Sequence, residues 1–285
     1  MGWWILGLIA AVALGALALY WLLVITEGVY LGRRAVIWLY DFYAGRYDDI
    51  KQYDPTTETY FLAVPLLQRL AAVRAPLVLD VATGTGRLPL ALLEQPVFQG
   101  RIVALDLSRK MLAIAAEKLA LHGDRVALLH QRAESLPFPD DTFAAVCCLE
   151  ARGFMMDPPA VLRELARVLR PGGLLVITNR QGRDARLMPG HTFAHERLER
   201  MLREEIGMAA VEVEPWQVDY RIVWAVKAGI SPAAAPRPLE EIWRCPRCGA
   251  VEMVRVKRGW RCLSCEARVP VGDDGVIEAE RVRSS

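Results

Sequence analysis

The chain has 285 residues, a formal net charge of +2 and an apolar fraction of 53%. That length admits one large domain or two, and the near-neutral charge excludes a strong overall bias toward nucleic acid. Much of the apolar excess lies near the start, and the six cysteines fall into two separate groups.

From Trp3 to Ile25 run 23 residues without a charge. As a helix rising about 1.5 Å per residue they span roughly 34 Å, enough for a hydrocarbon core of about 30 Å. A cleaved signal peptide usually carries Lys or Arg before its apolar region, whereas this chain begins Met1-Gly2-Trp3-Trp4. Ala16-Leu17-Ala18 resembles a cleavage triplet but sits in the middle of the run. A buried core helix rarely stays apolar on all sides for so long. The expectation is a transmembrane anchor over residues 1–27. Arg33, Arg34 and Arg46 follow it and no side-chain cation precedes it. The positive-inside rule then leads to the expectation of a single-pass membrane protein with its C-terminal bulk in the cytoplasm. Trp3, Trp4, Tyr20 and Trp21 suit the two interfacial belts. Residues 28–60 form a juxtamembrane segment, polar from Asp48 to Thr59, whose stretch from Tyr30 to Tyr47 is rich in aromatics and Arg. It lies along the membrane surface or forms the first helix of a soluble domain.

A helix is expected from Phe61 to Ala72. Next, Leu77-Val78-Leu79-Asp80-Val81 ends in Ala82-Thr83-Gly84-Thr85-Gly86-Arg87, a buried strand feeding a Gly-rich turn that opens a helix over Leu88 to Glu94. Glycines there let a ligand approach the backbone. Twenty residues past Gly86, Asp106 closes a second strand, Ile102 to Asp106, where an acid can take both hydroxyls of a ribose. Ser108 caps a helix reaching His122, and Val126 to Gln131 is a third strand. Two prolines and paired Asp make Ala133 to Phe143 a loop. A buried strand follows at Ala144 to Leu149, then a helix from Pro159 to Arg170 with Leu162, Leu165 and Leu169 on one face. Pro171-Gly172-Gly173 ends that helix before a fifth strand, Leu174 to Thr178. After a helix around Glu196 to Ile206, Val211 to Trp216 and Tyr220 to Lys227 are too close for a helical crossover and pair as an antiparallel hairpin. Ser231 to Pro238 is a Pro/Ala-rich linker.

The turn lacks the third glycine of a dinucleotide fingerprint, and no G-x-x-x-x-G-K-[ST] is present. The whole order of motifs resembles class I S-adenosylmethionine-dependent methyltransferases, in particular the branch of the ubiquinone/menaquinone biosynthesis methyltransferases. The resemblance rests on Val78 to Gly86, on Ala104 to Leu112, on the loop Ala133 to Phe143, and on Leu169-Arg170-Pro171-Gly172-Gly173-Leu174-Leu175. It covers roughly Tyr47 to Gly229. It implies an α/β fold with a Rossmann-like seven-stranded sheet, mostly parallel with an antiparallel last strand. It also implies S-adenosyl-L-methionine as cofactor. Backbone groups of Ala82, Thr83, Gly84 and Gly86 then meet the methionine end, and Asp80 holds the turn or the ligand's amino group. Asp106 takes the ribose, Leu107 and Met111 flank the adenine, and Ala133, Glu134 and Leu149 complete the pocket. Gln131 and Arg132 stand where relatives commonly carry Gly-Asp, and Leu149-Glu150-Ala151-Arg152 departs from the quinone branch. Glu150 is the candidate general base, with a structural contact as its alternative, and His191 and His195 sit in a loop region where substrates often bind.

Cys147 and Cys148 fall inside an apolar strand. Cys245, Cys248, Cys262 and Cys265 form two C-x₂-C pairs 13 residues apart, the pattern of a structural Zn²⁺ site in a zinc ribbon. The expected organisation is anchor 1–27, juxtamembrane segment 28–60, methyltransferase domain 61–229, linker 230–241 and ribbon 242–285. The expected function is methyl transfer at a membrane face to a small-molecule or lipid acceptor, such as a quinone precursor. Methylation of RNA or protein with the ribbon as recognition module is the alternative, motivated by Arg244, Arg247, Arg255, Lys257, Arg258 and Arg261. A non-catalytic cofactor-binding scaffold is a third.

Overall fold

A computed structural model describes residues 2–231 and 239–283. Most of the expected linker, residues 232–238, lies outside the described residues. Five parallel strands occupy the centre: β1 (Leu77–Val81), β2 (Arg101–Asp106), β3 (Val126–His130), β4 (Phe143–Cys148) and β5 (Leu169–Arg180). The hairpin β6 (Met208–Trp216) and β7 (Tyr220–Lys227) completes a sheet of order β3-β2-β1-β4-β5-β7-β6, with β7 antiparallel to β5. Connections to β2 and to β4 run opposite ways from β1. This is a topological switch point, where open α/β sheets bind ligands beyond the carboxyl ends of the strands.

Alternation along β1 explains why the sheet is covered on both faces. Val78 packs with Leu62, Leu66, Leu92 and Leu112 on one side. Leu77, Leu79 and Val81 pack with Val161, Leu162, Leu165 and Leu198 on the other. Cys147 and Cys148 are fully buried in β4, as their apolar surroundings require, and burial pushes both thiols up in pKa.

Several boundaries differ from the sequence reading. The helix expected at Phe61 begins at Pro55, because Asp54 caps it by accepting the Thr56 N–H at 3.0 Å. A π-turn over Thr59–Ala63 carries it on to Val64–Arg69. Strand β5 starts at Leu169 and runs through Pro171-Gly172-Gly173 with a register irregularity, instead of starting after it. A Cβ at Gly173 would lie 3.1 Å from the Ala144 carbonyl, so glycine lets the strand approach β4.

The apolar segment is a helix, Trp3–Tyr20, continued by a π-turn over Trp21–Ile25. None of it is buried against the described chain, which disposes of the core-helix reading. Its last turn is fastened to the domain. Trp21 Nε1 donates to the Leu187 carbonyl at 3.0 Å and stacks on Tyr30, whose hydroxyl donates to the Pro189 carbonyl at 2.8 Å.

The cysteine module forms a three-stranded antiparallel sheet, β8 (Met253–Val256), β9 (Gly259–Cys262) and β10 (Arg268–Pro270), in the order β10-β9-β8. It is not an appended bead. Trp243, Trp260 and Val269 share one hydrophobic cluster with Leu129, Leu136 and Phe138 of the main domain. Trp243 and Trp260 stack with centroids 5.6 Å apart, and both are buried.

Candidate functional site

The Gly-rich turn after β1 is held from two sides. Thr83 Oγ1 donates to Asp80 Oδ2 at 2.6 Å, and the Thr83 N–H donates to the Leu105 carbonyl at 3.0 Å. Asp106, at the end of β2, accepts the Gly84 N–H on Oδ2 at 2.8 Å and the Ser108 N–H on Oδ1 at 2.7 Å. Each oxygen keeps a further lone pair for an incoming hydroxyl. Ser108 in turn caps the helix Arg109–Lys118 by accepting the Met111 N–H.

Backbone strain marks the same place. Ala82 at φ +57° follows β1 and Glu150 at φ +54° follows β4. A left-handed conformation costs a non-glycine residue roughly 1–2 kcal/mol, and Ala82 and Glu150 are two of eight such residues among those described. Gly84 and Gly86 take the same region at no such cost, at φ +57° and +80°.

A cavity at the switch point is lined by Ala82, Gly84, Asp106, Leu107, Ala133, Glu134, Leu149 and Glu150 among the residues singled out from sequence. Asp80, Thr83 and again Glu150 line an adjoining recess with Glu58 and Arg87. Gly86 and Met111 line neither. Gly86 is packed against Ala115 and Leu119, and Met111 is fully buried beneath the pocket. His191 packs edge-on to Tyr30 and lines a small neighbouring recess that shares Glu150, Ala151 and Phe154 with the cavity, while His195 opens the helix His195–Arg200.

Burial raises the carboxyl pKa of Asp80 to about 7, and the Thr83 hydrogen bond only partly offsets this. Burial also raises Asp106, against the pull of its backbone donors. Glu150 behaves differently. Burial pushes it up, but Lys51 Nζ at 2.7 Å and the nearby Arg87 outweigh that and leave it below the ordinary glutamate value. Gln217 Nε2 donates to its other oxygen at 2.9 Å.

Sequence reasoning missed the outer wall. Val36, Ile37 and Tyr40 of the helix Arg33–Tyr43 line the cavity with Arg33 and Tyr47. This segment is bolted to the cofactor-side loops at several points. Arg33 pairs with Glu134 at 2.9 Å, Ser108 Oγ donates to Asp41 at 2.5 Å, and Thr85 Oγ1 donates to Asp48 at 2.6 Å. Tyr40 donates to Glu27 Oε2 at 2.5 Å, directly after the apolar helix. Phe154, Met155 and Met156 face it from beyond β4. The alternation of Arg and aromatics in 30–47 was the available signal. It marked an amphipathic helix without saying what its apolar face covers. Trp38 and Phe42 on the opposite face are exposed.

The four ribbon sulfurs lie within 4.8 Å of one another, with Cys245–Cys265 and Cys248–Cys262 each at 3.6 Å. A disulfide needs about 2.05 Å. A tetrahedron with Zn–S bonds of about 2.3 Å has edges of about 3.8 Å. The donor set therefore suits one tetrahedral Zn²⁺ and no disulfide. Gly249 and Glu266, each just after a C-x₂-C pair, take φ +78° and +58°, and their N–H groups donate back to the Cys245 and Cys262 carbonyls. Glu266 thus adopts the left-handed turn that Gly249 provides without strain.

Residues 78–173 match the methyltransferase domain family. Over 110 residues the chain is 37% identical to a demethylmenaquinone methyltransferase of Bacillus licheniformis, covering 39% of this chain and 47% of that protein. It is likewise 37% identical over 102 residues to a ubiquinone/menaquinone biosynthesis C-methyltransferase of Hahella chejuensis, covering 35% and 41%. The chain thus spans about half the length of the curated relatives it matches. A crystal structure of an S-adenosylmethionine-dependent methyltransferase from Aquifex aeolicus superposes with a TM-score of 0.50 at 26% identity, covering 62% of this chain and 95% of that one. The core is a class I S-adenosylmethionine-dependent methyltransferase domain, similar in sequence to the ubiquinone/menaquinone branch.

Proposed function

We propose that the chain transfers the methyl group of S-adenosylmethionine to a lipid-soluble acceptor, such as a quinone precursor, at the cytoplasmic face of a membrane. The observation that carries this reading is the origin of the outer wall. The helix that closes the cofactor cavity comes shortly after a 23-residue apolar helix that is exposed over its first 18 residues and touches the domain only at its last turn. A groove lined by Leu23, Val24, Leu39 and Ile50, with Glu27 and Lys51 at its polar end, shares Tyr40 and Tyr47 with the cavity. An acceptor dissolved in the bilayer would meet this groove at the end of the span, with Tyr40 and Tyr47 standing between it and the site. Arg33 and Arg34 just after the span support the cytoplasmic orientation. The similarity to quinone-branch enzymes supports the acceptor class.

Bound S-adenosylmethionine supplies a methyl already activated on a sulfonium. The protein's task is then to align the acceptor and exclude water, where orientation contributes several kcal/mol. Asp106 would accept the ribose hydroxyls, the backbone of Thr83 to Gly86 would meet the methionine end, and Asp80 would face its ammonium. Glu150 is kept ionised by Lys51 at the junction of the two recesses, where it would take a proton from the acceptor or hold the cofactor. Tyr40, Tyr47 and Phe154 form the apolar wall against which the acceptor would lie. The ribbon would hold Zn²⁺ through Cys245, Cys248, Cys262 and Cys265 as a structural ion.

Transfer of radiolabelled methyl by the full chain into lipid, RNA and protein fractions tests this. Label in the lipid fraction is expected. Label confined to RNA or protein makes the ribbon a recognition module instead, and cofactor binding without label anywhere leaves a scaffold.

A further inference from the structure

The C-terminal segment reaches past the ribbon to the cofactor side of the main sheet. Ile277 adds a parallel bridge to the edge of β3: its N–H donates to the Leu128 carbonyl at 2.9 Å, and its own carbonyl accepts the His130 N–H at 2.8 Å. The next residue, Glu278, is 2% exposed. Its carboxylate accepts from Arg109 Nε at 2.7 Å and faces His130 Nδ1 at 3.0 Å, with Arg281 Nε at 3.2 Å. The other ring nitrogen of His130 lies 3.2 Å from the Leu107 carbonyl. Leu107 lines the cavity, and Arg109 opens the helix that follows it. Two more ties reach the loop after β3. Arg132 Nε donates to Glu280 at 3.0 Å, one residue before Ala133, and the Arg244 N–H donates to the Pro137 carbonyl at 2.8 Å. The stretches after β2 and after β3, which form the adenosine half of the cavity, are therefore both fixed from outside the methyltransferase domain.

We propose that Glu278 is a positioning residue through which the C-terminal module sets the adenosine half of the cavity, so that cofactor affinity depends on a contact the methyltransferase domain does not itself supply. This rests on the reading of the cavity as the S-adenosylmethionine site. The physical reason is local. Leu107 sits on a chain reversal between a strand end and a helix start, and its carbonyl has His130 as a side-chain partner. Carboxylate and carbonyl are both acceptors, so the ring bridges the two through both N–H groups as the imidazolium, and Arg109, bound to the same carboxylate, fixes the helix start beside it; together they hold the adenine side of the pocket in one place. Asp106 and Ser108, on either side of Leu107, are held by the same restraint. Arg132, at the start of the loop after β3, takes its partner Glu280 from the C-terminal segment.

The test uses the full chain carrying Glu278→Gln, with Asp273→Asn, an exposed acid in the preceding turn, as control. Amide hydrogen exchange is read on ligand-free protein over residues 104–112 and 128–137, and S-adenosylhomocysteine affinity by calorimetry. Glu278→Gln is expected to exchange faster in both stretches while β4 and β5 stay protected, and to raise Kd about tenfold, within the usual range of coupling between sites. Asp273→Asn is expected to change neither. Arg109→Lys, which keeps the charge but loses the Nε donor, is expected to fall between and serves if the Gln variant does not fold. Unchanged exchange, together with an affinity within about twofold of the parent, overturns the proposal. Exchange needs no ligand, so the two readings separate. Fast exchange in the variant with no binding by the parent overturns the cofactor reading and the affinity claim, whereas unchanged exchange with tight parent binding overturns the positioning role alone.

Discussion

Replacing Asp106 with Ala removes a buried carboxylate that organises both halves of the turn. In the protein its oxygens hold the Gly84 and Ser108 N–H groups at 2.8 and 2.7 Å. In the complex the same oxygens would accept two ribose hydroxyls. Hydrogen bonds to a charged group contribute about 1.5–3 kcal/mol each, so losing both ribose contacts costs about 3–4 kcal/mol once water refills part of the space. At 1.4 kcal/mol per factor of ten, Kd for S-adenosylmethionine should rise roughly 100- to 1,000-fold. Asp106→Asn keeps the shape and one acceptor, and about one decade of loss is expected. The Ala variant also orphans two backbone donors at about 1–3 kcal/mol each, which lowers the unfolding midpoint by several degrees at about 2–4 °C per kcal/mol. Isothermal calorimetry, with circular dichroism to establish the fold, measures both effects. A folded Asp106→Ala protein binding within about twofold of the parent would refute the assignment, because Asp106 could then not be the group that supplies the ribose contacts.

Three further outcomes follow from single sites. Asp80 is raised by burial to about 7 against an ordinary value near 4. Its contribution to stability is therefore present below about pH 4 and is lost as pH rises toward 7. Asp80→Asn should stabilise the ligand-free protein more at pH 7.5 than at pH 5 in urea unfolding, and an equal effect at both values would contradict the raised pKa. If Asp80 faces the cofactor ammonium, binding near pH 6.5 should release a proton, seen as a buffer-dependent enthalpy. At Gly86 an added Cβ would lie 3.1 Å from Leu119 Cδ1 and 3.2 Å from Ala115 Cβ at φ +80°. Gly86→Ala should accordingly cost about 1–2 kcal/mol from the backbone alone, read in thermal unfolding. Metal analysis should find one zinc per chain. Its removal by a strong chelator, or Cys245→Ser, should lower the unfolding midpoint of the main domain as well as the ribbon, because Trp243 and Trp260 share a core with Phe138. An unchanged midpoint after verified metal loss would count against a structural ion.

The Gly-rich turn and the acids around it were legible because their information is local. Strand β1 ends in an acid, the turn needs left-handed residues, and Asp106 closes the neighbouring strand, all within thirty residues of sequence. The outer wall was not legible. Val36, Tyr40 and Tyr47 reach the cavity only because Asp41 and Asp48 fasten their segment to Ser108 and Thr85, contacts spanning 67 and 37 positions. The ribbon's cysteines announced a metal site by spacing, yet its place against β3 depends on Ile277 and Glu278, which belong to no motif. The two departures at Gln131 and Arg132 make sense only in that tertiary setting. Gln131 is buried and donates to the Ser135 carbonyl at 2.7 Å, and Arg132 pairs with Glu280.

The central claim is most directly tested by mass spectrometry of an apolar membrane extract incubated with the full chain in vesicles and S-adenosylmethionine bearing a deuterated methyl. One deuterated methyl on a lipid-soluble species, lost in Asp106→Ala, is the predicted result. An apolar fraction free of deuterium, with the label on RNA or protein instead, would contradict the account.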